Sequence, residues 1–503
     1  MGMLPRRNGF SRSERSQAAV TVPARFARAV LLGVLVAAST MVGSAPARAA
    51  DETFPRPKVL EPAIAFWRDV FATYSEHQVV VHDDWYLGKV YEVLDFRSWV
   101  GEDGRLPLSQ VNERKRQIDE TKQRVRDILL RIAANGGSAD GLGPDERRVH
   151  AMFADVRGGD KFRAAADRVR GQSGLRERFA LGIARQRGYL DRMVRIFREE
   201  GVPTELVRLP LIESCFDVNA YSKVGAAGVW QFMPATGKQY LHISNAVDER
   251  RDPLRATRAA ARHLSRDHGA LGAWPLAITA YNHGRGGIAR GVSEVGSSDI
   301  GEIVTRYRGK SFGFASRNFY VEFLAALDVV ARADELFEDL PRLPAIDGDE
   351  IELPHAMGVQ HAAALAGVGT DDLVAVNPAF LSAVTEGRMY IPRGYRLRIP
   401  PDGDAAQVAR ATPPPRPATT RVAKKARAKG TQVASASRAK ASARSSQKSS
   451  SRKKGSAVVV HRVRPGQTLG AIARQYGTTV EAIQDLNKVG TAIQAGQRLR
   501  IPT

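Results

Sequence analysis

Glu213 is a carboxyl group set in hydrocarbon: Leu209, Pro210, Leu211 and Ile212 precede it and Phe216 follows. Loss of solvent penalises the ionised form, so a carboxyl in such a place holds its proton at neutral pH. A general acid that protonates the leaving oxygen of a glycosidic bond needs that property. Nine residues later stands Ser222, followed by a turn of small residues, 225–228, and then by Trp230, Gln231, Phe232 and Met233. Tyr281 and Asn282 come shortly before Gly284, a pairing that taken alone reads as a helix end and turn. The sole cysteine, Cys215, lies two residues after Glu213, with His242, His263, His268 and His283 further along. A nucleophile is one reading of that thiol; a small buried hydrophobe is the one adopted. A lone cysteine forms no intrachain disulfide. No HExxH, CxxC or paired-histidine spacing occurs, so neither a metal nor a cofactor is expected.

Residues 209–234 read LPLIESCFDVNAYSKVGAAGVWQFMP. This segment resembles the active-site region of the soluble lytic transglycosylases, a goose-lysozyme-like family that cuts peptidoglycan. It carries the family's Glu-Ser pair, a Ser nine residues after the Glu, and a Gly-x-x-Gly-x-Trp-Gln-Phe-x-Pro run. Three further blocks keep the family's order: VDERRDP at 247–253, TRAAARHL at 257–264 and WPLAITAYNHG at 274–284. The resemblance implies a single acid. Glu213 would protonate the oxygen between N-acetylmuramic acid and N-acetylglucosamine. It would then act as a base on the muramoyl C6 hydroxyl, which closes a 1,6-anhydro ring without consuming water. Ser222, Gln231, Met233, Tyr281 and Asn282 match positions lining the family's cleft, with Met233 as an apolar wall.

Other classes stay open at this point. A hydrolytic muramidase or chitinase on the same fold needs a second carboxylate near Glu213, with Asp217 or Asp248 as candidates. A non-catalytic wall-binding protein would have lost the acid, and Glu213 in an intact motif argues against it. A nucleic-acid-binding exported protein rests only on basic charge.

The elements that must position these residues read as mainly α. Pro203-Thr204-Glu205 suits a helix start that delivers Glu213 near the helix C-terminus. Asp252-Pro253 suits a second start, with Asp as cap and Pro in the first turn, which makes Asp248, Glu249 and Asp252 structural. The lysozyme-like (goose-type) catalytic domain is expected over 187–340, ending after an apolar helix at 319–336. Ahead of it, 51–186 reads as a helical N-terminal region. Residues 109–134 are a long charged amphipathic stretch, and in 175–200 Phe179, Ile183, Met193, Ile196 and Phe197 fall at helical spacing. Phe66-Trp67 and residues 79–96 resemble the N-terminal helical region of the membrane-bound D type of these enzymes. His82, Asp83 and Asp84 read as a capped turn in preference to metal ligands or a second acid.

Two later segments form an internal repeat. Residues 461–502 resemble a LysM module, a small βααβ unit, within a domain spanning 458–503. Residues 345–400 align with it at an offset of 110: Leu353 falls on Val463, Leu373 on Ile483 and Asn377 on Asn487. This LysM-like segment has eight extra residues after the asparagine and lacks the Gly-Gln-Thr-Leu corner of 466–469, so packing and glycan binding weigh equally for it.

A chain of 503 residues with a formal charge of +22 suggests several units and an anionic partner. The distribution of charge narrows that partner. Residues 1–50 carry +6 and residues 405–455 carry +14 without one acidic side chain, leaving +2 for everything else. The first fifty residues read as a cleavable export signal with Ala47-Arg48-Ala49 at its end and no lipid-anchor cysteine. Residues 401–457 read as a basic disordered linker, which in a periplasmic protein would meet anionic wall or outer-membrane polymers. No nucleic-acid partner is expected.

Overall fold

Helix α1 (Glu61–Ala72) starts on Pro62, whose fixed φ and missing N–H suit a first turn, and it buries Ile64, Trp67, Val70 and Phe71. The computed structural model describes residues 53–338, 340–341, 348–412, 458–463, 469–476, 478–487, 489 and 497–502. The chain divides into two units at Arg416/Pro417. The export signal, and the part of the linker from 413 to 457, lie outside the described residues.

The region after α1 departs from the helical expectation. β1 (Gln78–Asp83) and β2 (Val90–Asp95) form an antiparallel hairpin, and β3 (Val169–Ser173) pairs with the other edge of β1, giving the order β2-β1-β3. The run Val79-Val80-Val81 accounts for the difference: β-branched side chains favour the pleated backbone, and a strand buried on both faces lacks the alternation that marks a half-exposed one. All three valines are buried. At the strand end Asp83 accepts hydrogen bonds from the backbone N–H groups of Trp85 and Tyr86, both at 2.8 Å, and pairs with Arg168 at 3.0 Å. The His82-Asp83-Asp84 motif is therefore a capped turn. Burial pushes the His82 imidazole down to about 4, so it stays neutral, packed on Phe66 at 4.4 Å. Helix α2 (Leu108–Ala134) lays Val125, Ile128, Leu129 and Ile132 into a small core with Tyr91, Phe153 and Phe162.

The stretch of helical spacing over 175–200 forms two helices, α3 (Arg176–Arg187) and α4 (Leu190–Glu199), broken at Gly188-Tyr189. A 3-10 turn over Thr204–Arg208 leads into the short α5 (Leu209–Ser214), which carries Glu213 one residue from its end. α6 (Pro253–Leu271), α7 (Trp274–His283), α8 (Arg285–Val295) and α9 (Ile300–Arg306) follow. The buried α10 (Phe314–Ala331) packs on both α1 and α7. Asp252 caps α6 as its sequence suggests, accepting from the N–H groups of Leu254 (2.9 Å) and Arg255 (3.1 Å).

The repeat is visible bond for bond. In the first copy β4 (Asp349–Glu352) pairs antiparallel with β5 (Arg396–Ile399), placing Ile351 opposite Leu397. In the second copy β6 (Val458–Arg462) pairs with β7 (Arg498–Pro502), placing His461 opposite Leu499. The Asn377 amide donates to the carbonyls of Leu373 and Arg398, and its oxygen accepts from the Arg398 N–H. Asn487 does the same with Ile483 and Arg500. The first copy runs further than its expected end. A short helix, Ala405–Ala409, puts Val408 into its core, so the folded chain continues past 400 into the residues read as linker.

Candidate active site

Helix α5 ends abruptly. Cys215 and Phe216 both take left-handed backbone conformations, with φ of 49° and 50°, and their N–H groups donate to the carbonyls of Leu211 and Pro210. Side chains with a Cβ enter this region at a cost of about 1–2 kcal/mol each. The turn is held from outside by Phe216, fully buried against Tyr189, and by the close approach of α3. At Gly182 on α3 a Cβ would stand 2.8 Å from the Cys215 carbonyl oxygen. Cys215 is itself buried, as a small hydrophobe would be.

Glu213 stands two residues before this turn, half-buried, and among the described residues nothing hydrogen-bonds to or pairs with its carboxyl. Burial alone pushes that group up to about 8. Ser214 faces the other way. Its hydroxyl donates to the Pro210 carbonyl and, at 3.0 Å, to the carbonyl of Val229, which ties the acid-bearing helix to the loop over 222–233.

That loop is shaped by its own hydrogen bonds. The Ser222 N–H donates to the Ala226 carbonyl at 2.8 Å, and the Ser222 hydroxyl accepts from the Ala226 N–H at 2.9 Å. Gly228, at φ +72°, lies so close to the backbone of Arg250 that a Cβ would come within 1.9 Å of its carbonyl oxygen. Gln231 is a third non-glycine residue in the left-handed region, and its amide donates to the Gly228 carbonyl. Trp230 is buried, stacked on Phe197, and its indole N–H reaches the Thr257 hydroxyl on α6 at 2.9 Å. Tyr221, Val224 and Met233 form an exposed apolar rim.

Helix α7 brings Tyr281 to the same place. Its hydroxyl donates to the Trp230 carbonyl at 2.8 Å, and its ring lies parallel to Phe319 of α10 at 6.4 Å. Burial, then the charge of Glu213, raise its phenol well above the ordinary value, so it remains a neutral donor. Asn282 stands beside it, exposed, with its side-chain oxygen accepting from Ser316 of α10 at 2.9 Å. Glu213, Ser222, Gln231, Met233 and Tyr281 thus belong to one neighbourhood, and Asn282 sits at its margin.

The sequence reading missed Glu322. It lies on α10 three residues beyond Phe319, on the stripe that faces α7. Burial chiefly, then the charge of Glu213, push its carboxyl up to about 8, with Arg170 pulling in the other direction. The signal was present as an acid inside the apolar run FYVEFLAAL, but without the fold nothing linked it to Glu213. Both carboxylates expected as a second acid are engaged elsewhere. Asp217 accepts from the Asn219 N–H, and Asp248 is locked in a two-pronged bond with Arg250 at 2.9 and 2.6 Å. No group of three metal-ligating side chains occurs among the described residues.

Residues 196–304 match the Transglycosylase SLT domain, and residues 461–502 match the LysM domain. The chain carries an SLT domain and a LysM domain. Every site residue named from sequence falls inside the SLT match; Ser316, Phe319 and Glu322 lie beyond it. The membrane-bound lytic murein transglycosylase D of Escherichia coli (strain K12) is 27% identical over 318 residues, 60% of this chain and 61% of that protein. The chain thus spans about three fifths of the length of that relative. Two solved structures show a looser likeness, each with a TM-score of 0.26. They are an inactive mutant of the lytic transglycosylase Slt from Pseudomonas aeruginosa (17% identity, 43% of this chain and 38% of that one) and the 70 kDa soluble lytic transglycosylase of Escherichia coli (18% identity, 47% and 46%). Among the described residues no helix is long and apolar enough to cross a membrane.

Proposed function

We propose that this protein is a periplasmic lytic transglycosylase. On this reading it cleaves the β-1,4 bond between N-acetylmuramic acid and N-acetylglucosamine and leaves 1,6-anhydromuramic ends. The observation that carries the reading is Glu213, a carboxyl without a partner among the described residues, protonated up to about pH 8, within the SLT domain. A protonated acid next to a glycan oxygen donates its proton as the bond breaks; the carboxylate left behind then takes a proton from the C6 hydroxyl as that oxygen attacks C1. Proton and electron pair balance without water. Tyr281, held as a neutral donor on the Trp230 carbonyl, and the loop over 222–233 would seat the sugar, with Met233 as the apolar wall. Asn282 would contact it from the rim. The LysM domain would hold the chain on peptidoglycan, and the basic residues of 405–455 would add attraction to anionic wall or outer-membrane polymers.

Glu322 gives the hydrolytic alternative a specific form. A second carboxylate acting as nucleophile or base must be ionised. Glu322, raised to about 8, is mostly protonated at neutral pH, which favours the single-acid route. Mass spectrometry of products from purified sacculi separates the two. Anhydro ends support the transglycosylase; reducing muramic acid ends would replace it with a hydrolase.

A further inference from the structure

Residues 349–412 share the build of the C-terminal LysM domain, yet they are fused to the catalytic unit by its own core. Ala246 and Val247, from the segment that precedes α6, are buried in one cluster with Leu353, Phe380, Leu397 and Ile399. Val247 and Phe380 form a β-bridge, and the Leu381 N–H donates to the Ala246 carbonyl at 3.0 Å.

Two chains of hydrogen bonds run from this contact to the loop over 222–233. In the first, the carbonyl of Ala379 accepts from the Asp248 N–H at 2.8 Å. Asp248 grips the buried Arg250 with both oxygens, and Arg250 Nη1 donates to the carbonyls of Gly225 (2.8 Å) and Phe232 (3.0 Å), both in that loop. In the second, Arg398 of β5 donates to Asp252 at 3.3 Å and to Glu350 at 2.8 Å; Arg398 and Asp252 are each 1% exposed. Asp252 caps α6, and one turn into that helix Thr257 holds the indole of Trp230. A fork between two buried charged groups fixes orientation more strictly than it adds stability.

We propose that residues 349–412 act as a fixed brace for the substrate-facing loop, and that Arg250 is the positioning residue through which the brace sets the turn bearing Ser222, Gln231 and Met233. This rests on the reading of that loop as the wall of a glycan cleft. A surface LysM domain bound to glycan would leave the cleft untouched when weakened; a brace would not.

Hydrogen exchange in the intact chain without any glycan tests the brace independently of what is cut. Arg250→Lys and Arg398→Lys keep the charge, so neither strands a buried carboxylate, but both lose the fork. Amides of 222–233 should exchange about 10-fold faster or more in each variant, with α1 and α10 unchanged. On soluble glycan fragments kcat should fall about 10-fold or more, since small misplacements of positioning groups are costly, while pelleting with sacculi stays at the parental level. Unchanged loop exchange in both variants overturns the proposal. So does weakened pelleting of Arg398→Lys with loop exchange and kcat intact, which would make 349–412 a binding module. If Glu213→Gln proves active, the cleavage reading fails, and the exchange data still decide whether the loop is braced.

Discussion

A carboxyl that keeps its proton to about pH 8 is poised for acid catalysis and is also a burden on the fold. In the unfolded chain Glu213 ionises near 4.5; in the folded protein it does so near 8. Folding is therefore favoured by the bound proton below 4.5, loses that contribution as pH rises from 4.5 to 8, and regains none of it above. At neutral pH the penalty is about 3 kcal/mol. Glu213→Gln keeps the shape and removes the titration. It should lower sacculus cleavage about 10³-fold or more and raise the melting temperature by about 2–4 °C at pH 8, a gain that vanishes near pH 4. Turbidity loss and melting curves across pH check both; an active variant with a parental melting profile would contradict the assignment. Glu322 belongs to the same balance. With both carboxyls near 8, the singly ionised pair spends part of its time with the proton on Glu213, which extends activity to higher pH. Glu322→Gln abolishes that sharing, so the alkaline limb of kcat/KM should move to lower pH by a few tenths to about one unit. An unmoved limb would place Glu322 outside the reacting pair.

At the scale of elements, what could be read from sequence was whatever depends on local chemistry. Asp252-Pro253 announced a capped helix because the cap needs only the next three residues, and Pro203 announced the approach to Glu213. The β1 strand was not legible as such: Val79-Val80-Val81 is equally apolar on both faces, and only pairing with β2 and β3, the latter ninety residues away, makes it a strand. Glu322 was missed for the same reason, since its meaning lies in a long-range contact. The asparagine of the βααβ unit is the opposite case, a long-range bond that repetition exposed. Asn377 is buried and satisfies two carbonyls and one N–H. Replacing it by Ala leaves those groups without partners at a cost of about 2–3 kcal/mol. Because residues 349–412 share a core with Ala246 and Val247, Asn377→Ala should lower the main calorimetric transition, the one lost with the catalytic unit. Asn487→Ala should spare that transition and destabilise only the C-terminal LysM domain. A main transition unaffected by Asn377→Ala would mean that the first copy melts on its own.

The whole molecule separates charge from chemistry. Of its +22, +14 falls in residues 405–455 and only +2 outside that stretch and the first fifty residues, −2 over 51–404 and +4 over 456–503, so the cutting unit is close to neutral and the LysM domain mildly basic. Glycan recognition by hydrogen bonds and apolar contact needs no net charge, and it should respond weakly to salt. Attraction between the fourteen cations and wall carboxylates would be long-ranged, and screened beyond about 8 Å at physiological ionic strength. Covalent linkage then adds the two effects, since a LysM domain held on the wall raises the local concentration of glycan at the cleft without any new contact there. Replacing the fourteen Lys and Arg residues of 405–455 by Ser or Gln should leave turnover of small soluble muropeptides unchanged. It should lower pelleting with sacculi at low salt and bring it to the parental level at high salt. Deleting 456–503 should lower pelleting at both, because the bonds removed are short-ranged. Co-sedimentation of parent, neutralised and truncated chains across a salt series reads the two contributions separately. Identical salt curves for the parent and the neutralised chain would reduce the basic segment to a spacer and leave wall affinity to the LysM domain alone.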